Sequence, residues 1–212
     1  MDKTLAMKFI TIVQIFKDFA RGLQLMYFSS RRDRYGYIHP TATVLLPGVM
    51  NKRNVYLYEH TNIGENFNII SNSGKFIMKK NSISGPGLTV ICQNHDLFNV
   101  GSYPGDNNWS SGELASDVIV EDGVWIGANV TLCPGAHIER GCIVAAGSVC
   151  PGKKIYPPYT IIGGNPAHVL KYRFTLDQQR EHEKLMYNEE DRLDNNLLSS
   201  YYEHFNKNVD FN

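Results

Sequence analysis

Leu114 to Val149 reads LASDVIVEDGVWIGANVTLCPGAHIERGCIVAAGSV, and the period of this stretch decides the fold. Every sixth residue is aliphatic: Leu114, Val120, Ile126, Leu132, Ile138 and Val144. The residues four places after each of these, Val118, Val124, Val130, Ala136, Cys142 and Ser148, are small or β-branched. Gly123, Gly127, Gly135, Gly141 and Gly147 mark corners between them. A strand repeats every two residues and a helix every 3.6. A period of six with two inward positions fits neither alone. It fits a solenoid of short flat strands that turn sharply at each repeat. Three such hexads close one coil, and coils stack at the inter-strand spacing of about 4.8 Å.

The pattern continues raggedly upstream. Leu57, Ile63 and Ile69 are six apart, with Thr61, Phe67 and Ser73 as their partners. Ile77 and Ile83 are expected to resume the inward series after a two-residue slip at Ser73–Gly74, and Val90 after one more residue. Ile38 and Val44 begin the series, which predicts roughly six or seven coils. One stretch, Asp96 to Glu113, carries no hexad and reads as a long loop extruded from the solenoid.

The flanks are helical. Over residues 3–28, Leu5, Phe9, Ile12, Val13, Phe16, Phe19, Leu23 and Met26 recur at spacings of three and four. Lys8, Lys17, Asp18 and Arg21 occupy the other face, and Arg31 to Arg34 adds three arginines. This helix suits either packing over an open end of the solenoid or weak contact with a membrane surface through residues 3–34. After the solenoid, Thr175 to Gln178 reads as a capping box. Leu185, Met186, Leu193, Leu197, Leu198, Tyr201, Tyr202 and Phe205 supply the apolar faces of the helices that follow. The expected organisation is an amphipathic helix at 1–34, a β-solenoid at 35–174 with its loop at 96–113, and a helical extension at 175–212.

Composition narrows the function. The 212 residues carry 21 Lys+Arg and 21 Asp+Glu, and a neutral chain lacks the basic excess of a nucleic-acid binder. No run of about 18 uncharged apolar residues offers a membrane span. No small-residue cleavage site follows a short apolar run, so a cytoplasmic protein is expected. Cys92, Cys133, Cys142 and Cys150 form no C-x-x-C pair and have no histidine at a zinc-ligand offset, so reduced, mostly buried thiols and no metal are expected. The neutrality is a sum of unequal zones. Residues 1–34 carry seven basic and three acidic side chains, 153–173 four basic and no acidic, and 177–194 three basic and seven acidic.

The hexads at 120–149, with Val124-Trp125-Ile126-Gly127 and Ala146-Gly147-Ser148-Val149, resemble those of the hexapeptide-repeat acyltransferases. So does Ile161-Ile162-Gly163-Gly164-Asn165-Pro166-Ala167. The resemblance spans roughly residues 38–174 and is closest to the galactoside, maltose and xenobiotic O-acetyltransferases. It implies a left-handed parallel β-helix, whose handedness runs against the usual right-handed crossover.

It also implies transfer of acetyl from acetyl-coenzyme A to a hydroxyl of a sugar or glycan precursor, with a xenobiotic, antibiotic-modifying enzyme as the alternative. In that family a histidine sits where the solenoid gives way to the loop. Here that residue is His95, in Cys92-Gln93-Asn94-His95-Asp96. A histidine with a pKa near 6.5 can take the proton of an attacking alcohol. Glu113, where the loop ends, is the implied orienter of the imidazole, or else merely solvated. Asn94 and Asp96 are implied to contact the acceptor.

The donor's pantetheine arm would run past the small positions Ala128, Ala146 and Gly164, which tight corners would also explain, with Asn165 beside them. Lys153 and Lys171, with Lys154 and Arg173 nearby, are cations for its phosphates. Trp125 faces outward and would cover the donor or meet a neighbouring subunit. The resemblance implies a homotrimer with sites between subunits. Two other readings compete with it. A zinc enzyme of the γ-carbonic-anhydrase type needs three converging histidines, and only His137 lies in the hexads. A non-catalytic solenoid would not bind acetyl-coenzyme A.

Overall fold

The computed structural model describes residues 11–20, 23, 31–95, 100–101, 103 and 115–206. Two units pack separately, and the boundary between them falls at Tyr35/Gly36. In the first, residues 11–20 form helix α1, and Leu23 is helical as well.

The second unit is the solenoid and its extension. Coil one holds β1 (Tyr37–Ile38), β2 (Thr43–Val44) and β3 (Gly48–Met50). Coil two holds β4 (Val55–Leu57), β5 (Asn62–Ile63) and β6 (Phe67–Ile70). Coil three holds β7 (Phe76–Met78), β8 (Ile83–Ser84) and β9 (Thr89–Ile91). Coil four holds β10 (Val118–Val120), β11 (Trp125–Ile126) and β12 (Thr131–Leu132). Coil five holds β13 (His137–Ile138), β14 (Ile143–Val144) and β15 (Val149–Cys150). Coil six holds β16 (Ile155–Tyr156) and β17 (Thr160–Gly164), against which β18 (Ala167–Tyr172) folds back antiparallel.

Each strand from β1 to β14 pairs with the strand three further along the chain. The result is three sheets: sheet I (β1-β4-β7-β10-β13-β16), sheet II (β2-β5-β8-β11-β14-β17-β18) and sheet III (β3-β6-β9-β12-β15). Among the described residues, every strand pairing within these sheets apart from β17–β18 is parallel.

The period of six becomes the core directly. Leu57, Met78, Val120, Ile138 and Tyr156 stand in register down sheet I, and all are fully buried. Val90, Leu132 and Cys150 do the same down sheet III. Each such side chain removed from water contributes about 1.5–3 kcal/mol, repeated coil after coil. The second inward position of each hexad, Val118, Val124, Val130, Ala136, Cys142 and Ser148, is likewise buried to within 1%.

Upstream, the expected inward residues Ile77 and Ile83 face out, and Ser73 is exposed. The inward residues are Phe76, Met78, Ser82 and Ser84. The cause is one wide corner rather than two slips. From Ile69 to Met78 the chain takes nine positions instead of six, and the phase is then kept through Val90. That corner is held by side chains: Asn54 Nδ2 donates to the Ser71 and Asn72 carbonyls at 2.8 and 3.0 Å, and Ser71 Oγ donates to the Asn51 carbonyl at 3.0 Å.

The long interruption leaves and re-enters at one place. Gln93 and Ala115 form an antiparallel bridge, and Ser116 N–H donates to the Cys92 carbonyl at 3.0 Å. The excursion is therefore an insertion at the corner between sheets III and I, and β10 resumes the coil as though it were absent.

The extension holds α2 (Leu176–Met186) and α3 (Asn195–Asn206). The capping box forms as read: Thr175 Oγ1 accepts from Gln178 N–H, and Gln178 Oε1 accepts from Thr175 N–H. The buried face of α2 is polar, contrary to expectation. Gln179 and Glu183 are buried, whereas Leu185 and Met186 are exposed. Glu183 docks the extension on the solenoid. Its carboxylate accepts from Tyr159 Oη, from Arg140 Nη1 at 2.9 Å and from Leu193 N–H at 2.9 Å. The Arg140 guanidinium also lies over the Tyr187 ring at 3.9 Å.

Candidate active site

The solenoid sorts the candidate residues onto two of its edges. At the edge between sheets III and I, Asn94 is exposed and His95 half-buried, both at the stem of the excursion. The stem is fixed from beneath by Gln93, which is 6% exposed and whose Oε1 accepts from Ser73 N–H at 3.0 Å. Gln93 positions the backbone two residues before His95. Nothing in its local sequence marked it out, because its partner lies 20 positions away across the wide corner.

Lys153 sits on the same edge two corners on, exposed and in the left-handed region at φ 58°. The coils touch there. A Cβ on Gly152 would lie 1.6 Å from the Pro134 carbonyl oxygen, so only glycine fits before that lysine. Lys154, by contrast, is occupied: its Nζ donates to the Ala167 carbonyl at 2.9 Å. Glu113 and Asp96 lie outside the described residues.

The other set gathers at the edge between sheets II and III. Ala128 and Ala146 occupy equivalent corners of successive coils, and Gly164, 18 residues further on, ends β17 where the chain folds back into β18. Ala128 is half-buried, and Ala146, Gly164 and Asn165 are exposed. Backbone stacks closely on backbone along this edge. A Cβ on Gly85 would lie 2.9 Å from Ala128 N, and one on Gly127 would lie 2.6 Å from Ala146 N. Tight corners therefore account for those glycines. The alanines beside them still leave a low, side-chain-poor channel, and a Cβ on Gly147 would meet nothing within 4 Å.

Trp125 borders this channel, 53% exposed as its hexad position requires. It stands in an outward ladder down sheet II, Ile83–Trp125–Ile143–Ile161, which Lys171 extends on β18. Trp125, the small corners and Lys171 thus share one side of the chain. His95, Asn94 and Lys153 lie across the width of sheet III from that channel.

The histidine of the hexads has structural partners. His137 Nε2 lies 3.1 Å from Glu121 Oε1, and Lys79 Nζ lies 2.8 Å from Glu121 Oε2. The hydrogen bond to Glu121 raises the His137 pKa despite partial burial. Burial pushes Glu121 up, but the bonds from His137 and Lys79 outweigh it and leave its pKa lowered. Among the described residues no group of three or more His, Cys, Asp or Glu could hold a metal ion. All four cysteines are unpaired, and burial pushes Cys92, Cys142 and Cys150 up to about 12.

Comparison with known proteins adds four findings. A probable macrolide acetyltransferase of Lysinibacillus sphaericus is 35% identical over 109 residues, 51% of this chain and 58% of that one. A putative lipopolysaccharide biosynthesis O-acetyl transferase of Escherichia coli is 42% identical over 57 residues, 27% of this chain and 28% of that one. The chain thus spans little more than half the length of the first of these curated relatives and less of the second. Among solved structures, a hexapeptide-repeat-containing acetyltransferase of Vibrio cholerae superposes with a TM-score of 0.60 at 25% identity, over 70% of this chain and 80% of that one. Residues 117–152 match the family model described as bacterial transferase hexapeptide (six repeats). The likeness to the hexapeptide-repeat acyltransferases therefore runs through both sequence and fold, and coils four and five carry their repeat.

Proposed function

We propose that the protein is an O-acetyltransferase that moves acetyl from acetyl-coenzyme A directly to an acceptor hydroxyl, with His95 as general base. One observation carries this reading: the excursion whose stem bears His95 breaks the solenoid immediately before the coils whose repeat is of bacterial-transferase type. The acceptor oxygen attacks the thioester carbonyl while the imidazole takes its proton. The C–S bond then breaks, and the proton passes to the departing thiolate. A base of this kind contributes about 10²–10⁴ in rate. Glu113 is proposed to hold the second ring nitrogen, and Asn94 and Asp96 to meet the acceptor.

The channel at the II–III edge fits the donor's arm. It offers backbone and small side chains at Ala128, Ala146, Gly164 and Asn165, with Trp125 alongside and Lys171 beyond for the phosphates. The base and the channel lie on different edges of one chain. Packing of copies side by side, as a homotrimer, would set the III–I edge of one against the II–III edge of the next and complete the site. Lys153 would then approach the donor of its neighbour.

The acceptor is proposed to be a sugar or glycan-precursor hydroxyl, in keeping with the lipopolysaccharide O-acetyl transferase likeness. The macrolide acetyltransferase likeness covers more of the chain and favours an antibiotic hydroxyl as the second reading. A screen of both acceptor classes with acetyl-coenzyme A, read as thiol release, separates them. If no acceptor in either class released thiol and a saturating donor did not shift Tm, the solenoid would be a non-catalytic one.

A further inference from the structure

Within its own unit, helix α1 leaves its large apolar side chains uncovered. Ile12, Ile15, Phe16, Phe19 and Leu23 are 64, 63, 72, 62 and 51% exposed. At about 100° per residue they fall in a single stripe about 100° wide. Gln14 and Lys17 project from the other side, where Gln14 Nε2 donates to Asp18 Oδ1 at 3.0 Å. The segment is also basic: residues 1–34 hold seven Lys and Arg against three Asp. Three of those arginines lie at Arg31, Arg32 and Arg34, on and beside a short 3-10 turn.

A stripe rich in phenylalanine and isoleucine, with Lys17 on the opposite face and three arginines shortly after it in the sequence, matches the boundary between acyl chains and anionic headgroups. A second copy of the same segment matches it poorly, because it would bring basic charge against basic charge. No helix among the described residues is long and apolar enough to cross a membrane. We propose that α1 lies along the surface of an anionic bilayer, with its apolar stripe down and its basic residues among the headgroups. This proposal is independent of the acetyl-transfer reading.

The test is co-sedimentation of the full chain with vesicles of phosphatidylcholine alone and with phosphatidylglycerol added. The expected result is binding to the anionic vesicles, about tenfold or more weaker on neutral ones, and reduced by salt. Phe16→Glu with Phe19→Glu should abolish binding and leave the thermal unfolding of the solenoid unchanged. Lys17→Glu with Arg32→Glu keeps the stripe intact, and it should weaken binding to anionic vesicles alone. Equal binding to both vesicles, or to neither, overturns the proposal. So does loss of self-association in the Phe16 and Phe19 variant without vesicle binding by the parent, which would make the stripe a contact between copies.

Discussion

Glu183→Ala is expected to be among the most destabilising single changes in the molecule. The carboxylate is 2% exposed and holds three donors: Tyr159 Oη, Arg140 Nη1 and Leu193 N–H. Burial and the Glu183 carboxylate both push the Tyr159 hydroxyl up, so it stays protonated and donates. Removing the carboxylate takes the near counter-charge from the Arg140 guanidinium, whose side chain is only 13% exposed, and leaves it the Asp191 carbonyl at 2.9 Å and Asp122 at 3.8 Å. Breaking a buried pair by deleting one partner costs about 3–5 kcal/mol. The stranded hydroxyl and amide add to this, each up to about 1–3 kcal/mol if water cannot reach them.

The assay is urea unfolding of Glu183→Ala, Arg140→Met and the double variant. The double variant should be less destabilised than the sum of the singles, with a coupling of about 1–3 kcal/mol. Glu183→Gln, which keeps an acceptor for Tyr159 and Leu193, should fall between wild type and Glu183→Ala. Additive losses in the double variant would refute the view that this pair anchors the extension.

Three further outcomes follow from the same geometry. Phe76→Ala should cost about 3–5 kcal/mol in urea unfolding, while Ile83→Ser should cost well under half of that; the reverse order would restore the frame first read from the sequence. In the native protein Cys133, the half-buried thiol, should react first with a disulfide reagent. Cys92, Cys142 and Cys150 should react only on unfolding, because burial holds them protonated at neutral pH. The His137 pKa is raised by Glu121, so its stabilisation is complete below the ordinary value of 6.5 and fades as pH rises through the higher folded value. His137→Gln should therefore lose more stability at about pH 5.5 than at about pH 8.5, and equal losses would contradict this.

The solenoid was legible because its core is a one-dimensional pattern. Each inward residue of Val118 to Ser148 stacks on its equivalent one coil away, so the fold repeats what the sequence repeats. The repeat loses its phase where a corner widens. Between Ile69 and Phe76, the polar side chains of Asn54 and Ser71 do the holding, and periodicity cannot register them. Ile77 and Ile83 looked inward only because they are isoleucines.

The extension misled for the complementary reason. An apolar stripe was expected to mark the buried face of α2, but that face is set by Glu183 and an arginine 43 residues earlier. The candidate site divides the same way. His95 could be singled out because it borders a break in the repeat. Its support by Gln93, and its separation from the Ala128–Ala146–Gly164 channel by a whole sheet, arise only when the coils are stacked.

Acetyl transfer by His95→Ala is the most direct test. Thiol release from acetyl-coenzyme A would be followed with an accepted hydroxyl compound, alongside donor binding by thermal shift. Turnover should fall by about 10²–10⁴ with the donor-induced Tm shift intact. Turnover near that of the wild type would show that the base lies elsewhere.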